Sequence, residues 1–154
     1  MKKSWISSTI FFCGMLLFSA ACTDDSTTNT PAGTNPAIYE LPATDADGIT
    51  LSVTTGQVIE ITTTGQVNTN PDGPVVDCDL WTDANGIETC IYVAESWCRG
   101  LPFMALIGFF DSQYFLVGTS FQRTFTASGD LTLLINDLVF DDNDGKFTVS
   151  VLIQ

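Results

Sequence analysis

The C-terminal stretch of residues 129–153 reads GDLTLLINDLVFDDNDGKFTVSVLI and decides the fold. Apolar residues alternate with polar ones in its first half, at Leu131, Leu133 and Ile135, and again from Phe147 to Ile153. A period of two is the pattern of a β-strand that buries one face. The two halves are therefore predicted to be strands, joined by an acidic connection.

Further strands are predicted upstream, at 49–53, 59–63, 103–110, 114–117 and 121–125. The first two alternate and are expected to be joined by the short turn at Thr55-Gly56. The third is a continuous apolar run, typical of a central strand covered on both faces, and Gly100, Pro102 and Gly108 argue against the helical alternative. About seven or eight short strands without an amphipathic helix indicate an all-β, antiparallel sandwich or jelly roll.

Composition limits the chemistry that this chain can perform. It has 154 residues, a formal net charge of −13 and no histidine. Without histidine, Ser-His and Cys-His catalysis and the commonest zinc ligand are excluded. An acidic surface repels phosphate backbones, so no nucleic acid partner is expected, whereas divalent cations and neutral ligands suit it.

The N-terminus is typical of an export signal. Lys2 and Lys3 precede a mostly apolar stretch, and small residues then lead to Cys22. This pattern predicts a lipoprotein signal peptide over residues 1–21, with Cys22 as the lipidated residue. Ser19 stands where Leu is usual, which leaves an ordinary secretory signal or a membrane-anchoring helix as alternatives.

Residues 22–45 are predicted to be a flexible, lipid-anchored tether, because they contain almost no large apolar residue. The folded domain is predicted over residues 46–154. Asp24 and Asp25 resemble the acidic tag that directs some lipoproteins of Bacteroidetes-type bacteria to the cell surface. The expected location is the cell envelope, at the outer membrane or cell surface, with membrane contact through the N-terminal lipid only.

The folded part keeps three cysteines after Cys13 leaves with the signal and Cys22 takes the lipid. In an oxidising compartment this count predicts one disulfide and one free thiol. Cys78–Cys90 is favoured, with Cys98 buried at a strand start, and Cys90–Cys98 is the alternative. Metal ligation by the three thiols is disfavoured because no fourth ligand accompanies them.

Calcium is the cation suggested by the connection between the last two strands, which carries Asn136, Asp137, Asp141, Asp142, Asn143 and Asp144. Carboxylate and amide oxygens at flexible spacing are calcium ligands. An EF-hand is excluded, because counting from Gly145 puts Phe140 and Val151 at its first and last ligand positions. The alternative is an acidic hairpin turn. Asp137 favours the cation, since a carboxylate at the end of a buried strand needs a partner.

Four segments carry a resemblance to a known family: GLPFMALIGF at 100–109, FLVGT at 115–119, GDLTLLIND at 129–137 and DNDGKFTVSV at 142–151. In order and spacing they resemble the PA-I type galactophilic lectins, and equally the related galactose-binding-like sandwich domains of exported bacterial proteins. The resemblance covers residues 49–153. It implies a galactose-binding-like β-sandwich in which a calcium ion holds two adjacent sugar hydroxyls.

By position, the resemblance assigns the calcium ligands to Asp137, Asp142, Asn143 and the backbone carbonyl near Thr69. The final loop is slightly shorter than in those lectins and lacks their threonine ligand, for which Asp141 or Asp144 is the candidate replacement. The sugar-contacting His and Gln of the lectins fall near Thr82 and Asn85.

A tryptophan in the loop-rich region 65–99 is the candidate platform for a sugar ring. Trp81 lies between acidic residues and is the candidate, whereas Trp97, beside Cys98, is expected in the core. The predicted function is a calcium-dependent, carbohydrate-binding (lectin-like) module tethered to the envelope, with a glycan or small sugar as partner.

The alternative is a structural or interaction domain in which calcium only fastens the last loop. No enzyme is expected, because a glycosidase needs paired carboxylates and nothing in the sequence pairs Glu60, Glu88 or Glu95.

Overall fold

Two antiparallel four-stranded sheets form the fold in the computed structural model, which describes residues 35–69, 78, 80–90 and 96–154. The first sheet has the strand order β1-β8-β3-β6 and the second has the order β2-β7-β4-β5. The strands are β1 (Ala37–Pro42), β2 (Ile49–Val53), β3 (Val58–Thr69), β4 (Leu106–Phe110), β5 (Gln113–Leu116), β6 (Ser120–Thr124), β7 (Gly129–Ile135) and β8 (Asn143–Ile153). The predicted β-sandwich is confirmed.

The core lies between the two sheets because alternate residues of each strand point inward. Ile59, Ile61 and Val67 of β3 are buried, and so are Leu131 and Leu133 of β7. Most buried apolar residues of the two sheets form one cluster, and Ala105, Ile107 and Leu134 form a smaller second cluster. The alternation in the sequence is therefore the pattern of this shared core.

One end of the sandwich, called here the loop end, collects the features that the sequence singles out. Thr69 at the end of β3 pairs with Asn143 at the start of β8, and Pro42 at the end of β1 pairs with Lys146. In the second sheet Ile135 closes β7 opposite Leu106 of β4. The acidic connection between β7 and β8 therefore lies at the loop end.

The folded part begins earlier than predicted. Residues 37–42 were assigned to the tether, but they form β1 and pair with β8 from Ala37↔Val151 to Pro42↔Lys146. Leu41 is fully buried and Tyr39 packs against the core cluster. The inward side chains of Tyr39 and Leu41 pack this short edge strand against the core, although the neighbouring sequence is polar.

The predicted turn at Thr55-Gly56 joins β2 to β3. β2 pairs only with β7, and β3 pairs with β6 and β8 in the opposite sheet. The turn therefore crosses from one sheet to the other. Alternation identifies a half-buried strand, but it carries no information about which sheet receives it.

Cys78 and Cys90 form the predicted disulfide. The signal segment 1–21 and Cys22 lie outside the described residues. Among the residues that are described, no helix is long and apolar enough to cross a membrane.

Candidate functional site

Asp137 lies two residues after β7 and is almost fully buried, with 1% of its surface exposed. One carboxylate oxygen accepts a hydrogen bond from the Val139 backbone N–H at 3.0 Å, and the other accepts one from the Asn143 amide Nδ2 at 2.8 Å. Neither donor carries a charge. A buried carboxylate held only by neutral donors is costly in free energy, and a cation would remove that cost.

Burial has the largest effect on the electrostatics of Asp137. Burial raises the pKa of its carboxyl group, and the nearby charge of Asp142 adds to the rise, while the hydrogen bonds from Val139 and Asn143 oppose it. The burial effect is the largest, so the pKa lies above its ordinary value. A carboxyl group in this state gains from binding a cation, which favours its charged form.

Asn143, the first residue of β8, supplies a second buried oxygen. Its Nδ2 donates to Asp137 and to the Ala43 carbonyl at 3.2 Å, which joins the acidic connection to the end of β1. Its Oδ1 is buried and has no hydrogen-bond partner among the described residues. A buried acceptor of this kind is open to a water or a cation, and here it belongs to the residue that binds the buried Asp137 carboxylate. Asp137 and Asn143 therefore form the centre of a candidate cation site.

The other predicted ligands differ in burial and in how they interact with this pair. Thr69 is buried and faces Asn143 in the strand register. Asp142 is exposed, yet close enough for its charge to act on Asp137. Asp141 and Asp144 are also exposed, and one oxygen of Asp144 accepts a hydrogen bond from the Gly145 N–H.

Across the described part of the chain, no three His, Cys, Asp or Glu side chains form a cluster that could hold a metal ion. A cation at this end would therefore depend on amide and backbone oxygens as well as Asp137, which is a ligand set that calcium accepts.

Trp81 lies beside the acidic connection. The segment that contains it runs along β3 at the loop end, because Thr82 and Val67 exchange both backbone hydrogen bonds at 2.9 and 3.0 Å. A Cβ atom placed on Gly145 would lie 2.8 Å from Cζ3 of the Trp81 ring. The ring therefore rests against bare backbone, and 49% of the residue remains exposed.

Asn85, the predicted partner of Thr82 in sugar contact, is engaged elsewhere. Its Oδ1 accepts a hydrogen bond from the Thr119 N–H at 3.2 Å, and its Nδ2 lies 3.4 Å from the Thr119 hydroxyl. Thr119 in turn binds Thr63 of β3 through its carbonyl, whereas Thr82 pairs with Val67. The two predicted sugar contacts are thus held at different positions along β3, and only Thr82 lies next to Trp81.

Asn136 is a residue whose role the sequence did not reveal. It is fully buried, and its Oδ1 accepts the Cys98 N–H at 2.8 Å. Its Nδ2 lies within hydrogen-bond distance of the carbonyls of Cys98, Leu101 and Pro102, at 3.0–3.3 Å. One side chain therefore fastens the loop before β4 to the end of β7, directly beside Asp137. In the sequence it is indistinguishable from the other acceptors that follow it.

Two expectations about the segment before β4 are wrong. Trp97 was expected in the core, but 38% of its surface is exposed. Cys98 was expected to be buried at a strand start, but it lies outside the strands and is half-buried, with a free thiol. Asn136 explains both, because it holds this segment as a loop across the outside of the second sheet.

Comparison with known proteins locates the fold. No protein-family model and no curated protein matches the sequence. Among solved structures, the N-terminal domain of EclA, described as a PllA-like lectin, is similar with a TM-score of 0.58. The two share 22% identity, and the match covers 79% of this chain and 100% of that domain. The likeness shows the lectin-type sandwich fold that the four sequence segments indicate.

Proposed function

We propose that the loop end is a calcium-dependent carbohydrate-binding site on a non-catalytic module. The observation that carries the proposal is the pair formed by Asp137 and Asn143: a buried carboxylate with neutral donors, hydrogen-bonded to an amide whose own buried oxygen has no donor among the described residues. One hard cation would neutralise the buried carboxylate and would take the amide oxygen as a ligand. The similar lectin domain makes a sugar the first ligand class to test.

Calcium fits the oxygens that this end provides. Asp137 and the Oδ1 of Asn143 would supply the buried ligands, and the Thr69 carbonyl and Asp142 would complete the protein contribution. Asp141 and Asp144 are the reserve candidates for a further ligand. Calcium takes six to eight oxygens, so a set of this size would leave positions for two hydroxyls of a sugar.

Trp81 would provide the apolar contact that sugar recognition requires. A pyranose has a face of C–H groups, and a half-exposed indole ring offers it a flat apolar surface. Thr82, on the same segment, would add a hydroxyl beside the ring. Asn85 is the weaker candidate, because its amide is already engaged with Thr119.

The proposed setting is the bacterial cell envelope. A lipid on Cys22 would hold the module at the outer membrane or cell surface, and the acidic surface favours neutral glycans over anionic ones. Labelling cells with a radioactive fatty acid tests the anchor. We expect incorporation into the wild-type chain and none into Cys22→Ser.

Calorimetry of the full chain tests the site itself. Calcium titrated into the EDTA-treated chain is expected to bind, and the loop end is expected to bind neutral sugars only when calcium is present. Asn143→Ala should abolish both, because it removes the buried oxygen and the amide that holds Asp137. Asp130→Ala, an acidic change at the start of β7 and so at the opposite end of that strand from the acidic connection, is the matched control and should alter neither. Sugar binding that is unchanged in EDTA would refute the calcium dependence.

A second candidate function is a structural domain in which calcium only fastens the last loop. The bond from Asn143 to the Ala43 carbonyl favours it, because this bond already links the acidic connection to β1. Under this alternative, calcium would raise the melting temperature while no sugar in the panel gives heat of binding.

A further inference from the structure

The outer face of the first sheet carries a pocket far from the loop end. Pro36, Glu60, Thr62, Ser150 and Leu152 line it, and its volume is about 160 Å³. In the register of β3 and β8, Glu60 pairs with Leu152 and Thr62 with Ser150, so four of the five are neighbours on two adjacent strands. Pro36, just before β1, closes one side. A water molecule takes about 30 Å³, so the pocket has room for a group the size of one sugar ring.

Glu60 is held in place by two amides. Its Oε1 accepts hydrogen bonds from Gln122 Nε2 at 2.8 Å and Gln154 Nε2 at 3.1 Å. Its Oε2 has no hydrogen-bond partner among the described residues, and the ion pair they contain joins Lys146 to Glu40 instead. The carboxylate therefore has a fixed orientation and a free acceptor oxygen.

The other residues that line the pocket offer the groups that a neutral polyol can bind. The hydroxyls of Thr62 and Ser150 can each donate and accept one hydrogen bond, and no partner in the described structure occupies either of them. Leu152 and Pro36 offer apolar surface for C–H groups. One carboxylate, two hydroxyls and an apolar wall are the groups that bind a sugar ring, and a single carboxylate does not make a metal site.

We propose that this pocket is a second saccharide site, independent of any metal, that holds one neutral sugar unit through Glu60, Thr62 and Ser150. Glu60 and Thr62 lie nine and seven positions before Thr69 on β3, so the pocket lies about 25 Å from the loop end. The two sites would take separate units of one glycan or of two glycans, and the combined binding would exceed that of either site.

Amide chemical-shift titration of the ¹⁵N-labelled full chain in EDTA tests the proposal. Neutral methyl hexosides and an N-acetylhexosamine are titrated to concentrations that detect a Kd of about 10 mM, since single-sugar contacts are weak. Saturable shifts are expected at the amides of residues 60–62 and 150–152. EDTA removes the proposed calcium-dependent binding, so success or failure here is independent of the loop end.

Substitutions in the pocket test whether Glu60 binds the sugar. Glu60→Gln, which keeps the size of the side chain, should weaken binding about tenfold, because a hydrogen bond to a charged acceptor is lost. Thr64→Ala lies on the same face of β3 outside the pocket and should leave the Kd unchanged. If Glu60→Gln gives an unfolded spectrum, Ser150→Ala provides the same test.

Three outcomes would overturn the proposal. The first is no saturable shift at these amides with any of the sugars. The second is an equal Kd in the wild type and the pocket variant. The third is saturation by an alkylammonium ion alone, which would make the pocket a cation site for Glu60.

Discussion

Asn136 and Asp137, which follow β7 directly, have different structural roles although they are neighbours in the chain. Asn136 has all its hydrogen-bonding groups engaged with the loop before β4, whereas Asp137 is buried with neutral donors only. Asn136 therefore stabilises the loop end, and Asp137 carries a free-energy cost that a ligand can remove. The two neighbours therefore differ in role, because Asn136 holds the loop before β4 and Asp137 lies in the candidate cation site.

Replacing Asn136 by alanine should be among the most destabilising changes at the loop end. The change leaves a buried N–H and buried carbonyls without partners, so the free energy of unfolding should fall by about 3 kcal/mol in urea titrations. Asn85→Ala removes an exposed amide that binds Thr119 and should cost about 1 kcal/mol or less. Equal losses for the two variants would show that Asn136 does not hold the loop.

At the scale of elements, the contact between β3, β8 and the Trp81 segment depends on a residue without a side chain. Gly145 has φ +87°, and a Cβ there would lie 2.3 Å from the Gln66 carbonyl oxygen. Gly145→Ala should cost more than about 2 kcal/mol, because steric overlap adds to the strain of a left-handed backbone. Gly56 has φ +90° with nothing within 4 Å of a Cβ, so Gly56→Ala isolates the backbone strain alone.

The two glycine variants are compared by thermal unfolding and tryptophan fluorescence. The larger loss of stability and a shift in the emission of Trp81 are both expected only for Gly145→Ala. Identical melting temperatures would contradict the close approach of the ring to the backbone.

The seam between β1 and β8 should respond to pH through Glu40. Hydrogen bonds from Lys146 and Thr148 lower the pKa of its carboxyl group below 4.5, the value expected in the unfolded chain. The stabilising contribution of the Glu40 carboxylate is therefore complete above pH 4.5. It is lost as the pH falls through the lower pKa that this group has in the folded chain. Glu40→Gln should reduce the melting temperature slightly at pH 7 and not at pH 2. A difference that persists at pH 2 would point to lost packing instead.

Local patterns in the sequence predicted most strands and missed how they assemble. Alternation located β2, β3, β7 and β8, because a half-buried strand has a period of two regardless of its partners. The same reasoning does not tell which sheet receives each strand, and it missed β1, whose few apolar residues stand in a polar stretch. The burial of Asp137 followed from its place after a buried strand. The unpartnered oxygen of Asn143 could not be predicted, since it depends on which carbonyl its amide reaches across the sandwich.

For the whole molecule, the disulfide closes the chain around the segment that carries Trp81. Cys78 and Cys90 are twelve residues apart, so their bond restricts the unfolded chain and should contribute about 3 kcal/mol. A Cys78→Ala/Cys90→Ala double variant should lose that amount in urea titrations. Cys98→Ser, a change at a free thiol outside the strands, should lose little. A double variant as stable as the wild type would show that packing alone orders the segment.

The direction of β1 has a consequence for how the molecule would be presented to its surroundings. The chain enters the sandwich at Ala37, opposite Val151, and reaches the loop end only at Pro42. A lipid on Cys22 would therefore pull on the base of the sandwich, with the calcium-site candidates on the opposite pole, about 20 Å beyond the start of β1. If Cys22 carries a lipid, the loop end would therefore be the part of the folded domain farther from the point where the chain enters it, and so better placed to meet ligands outside the cell than its own bilayer.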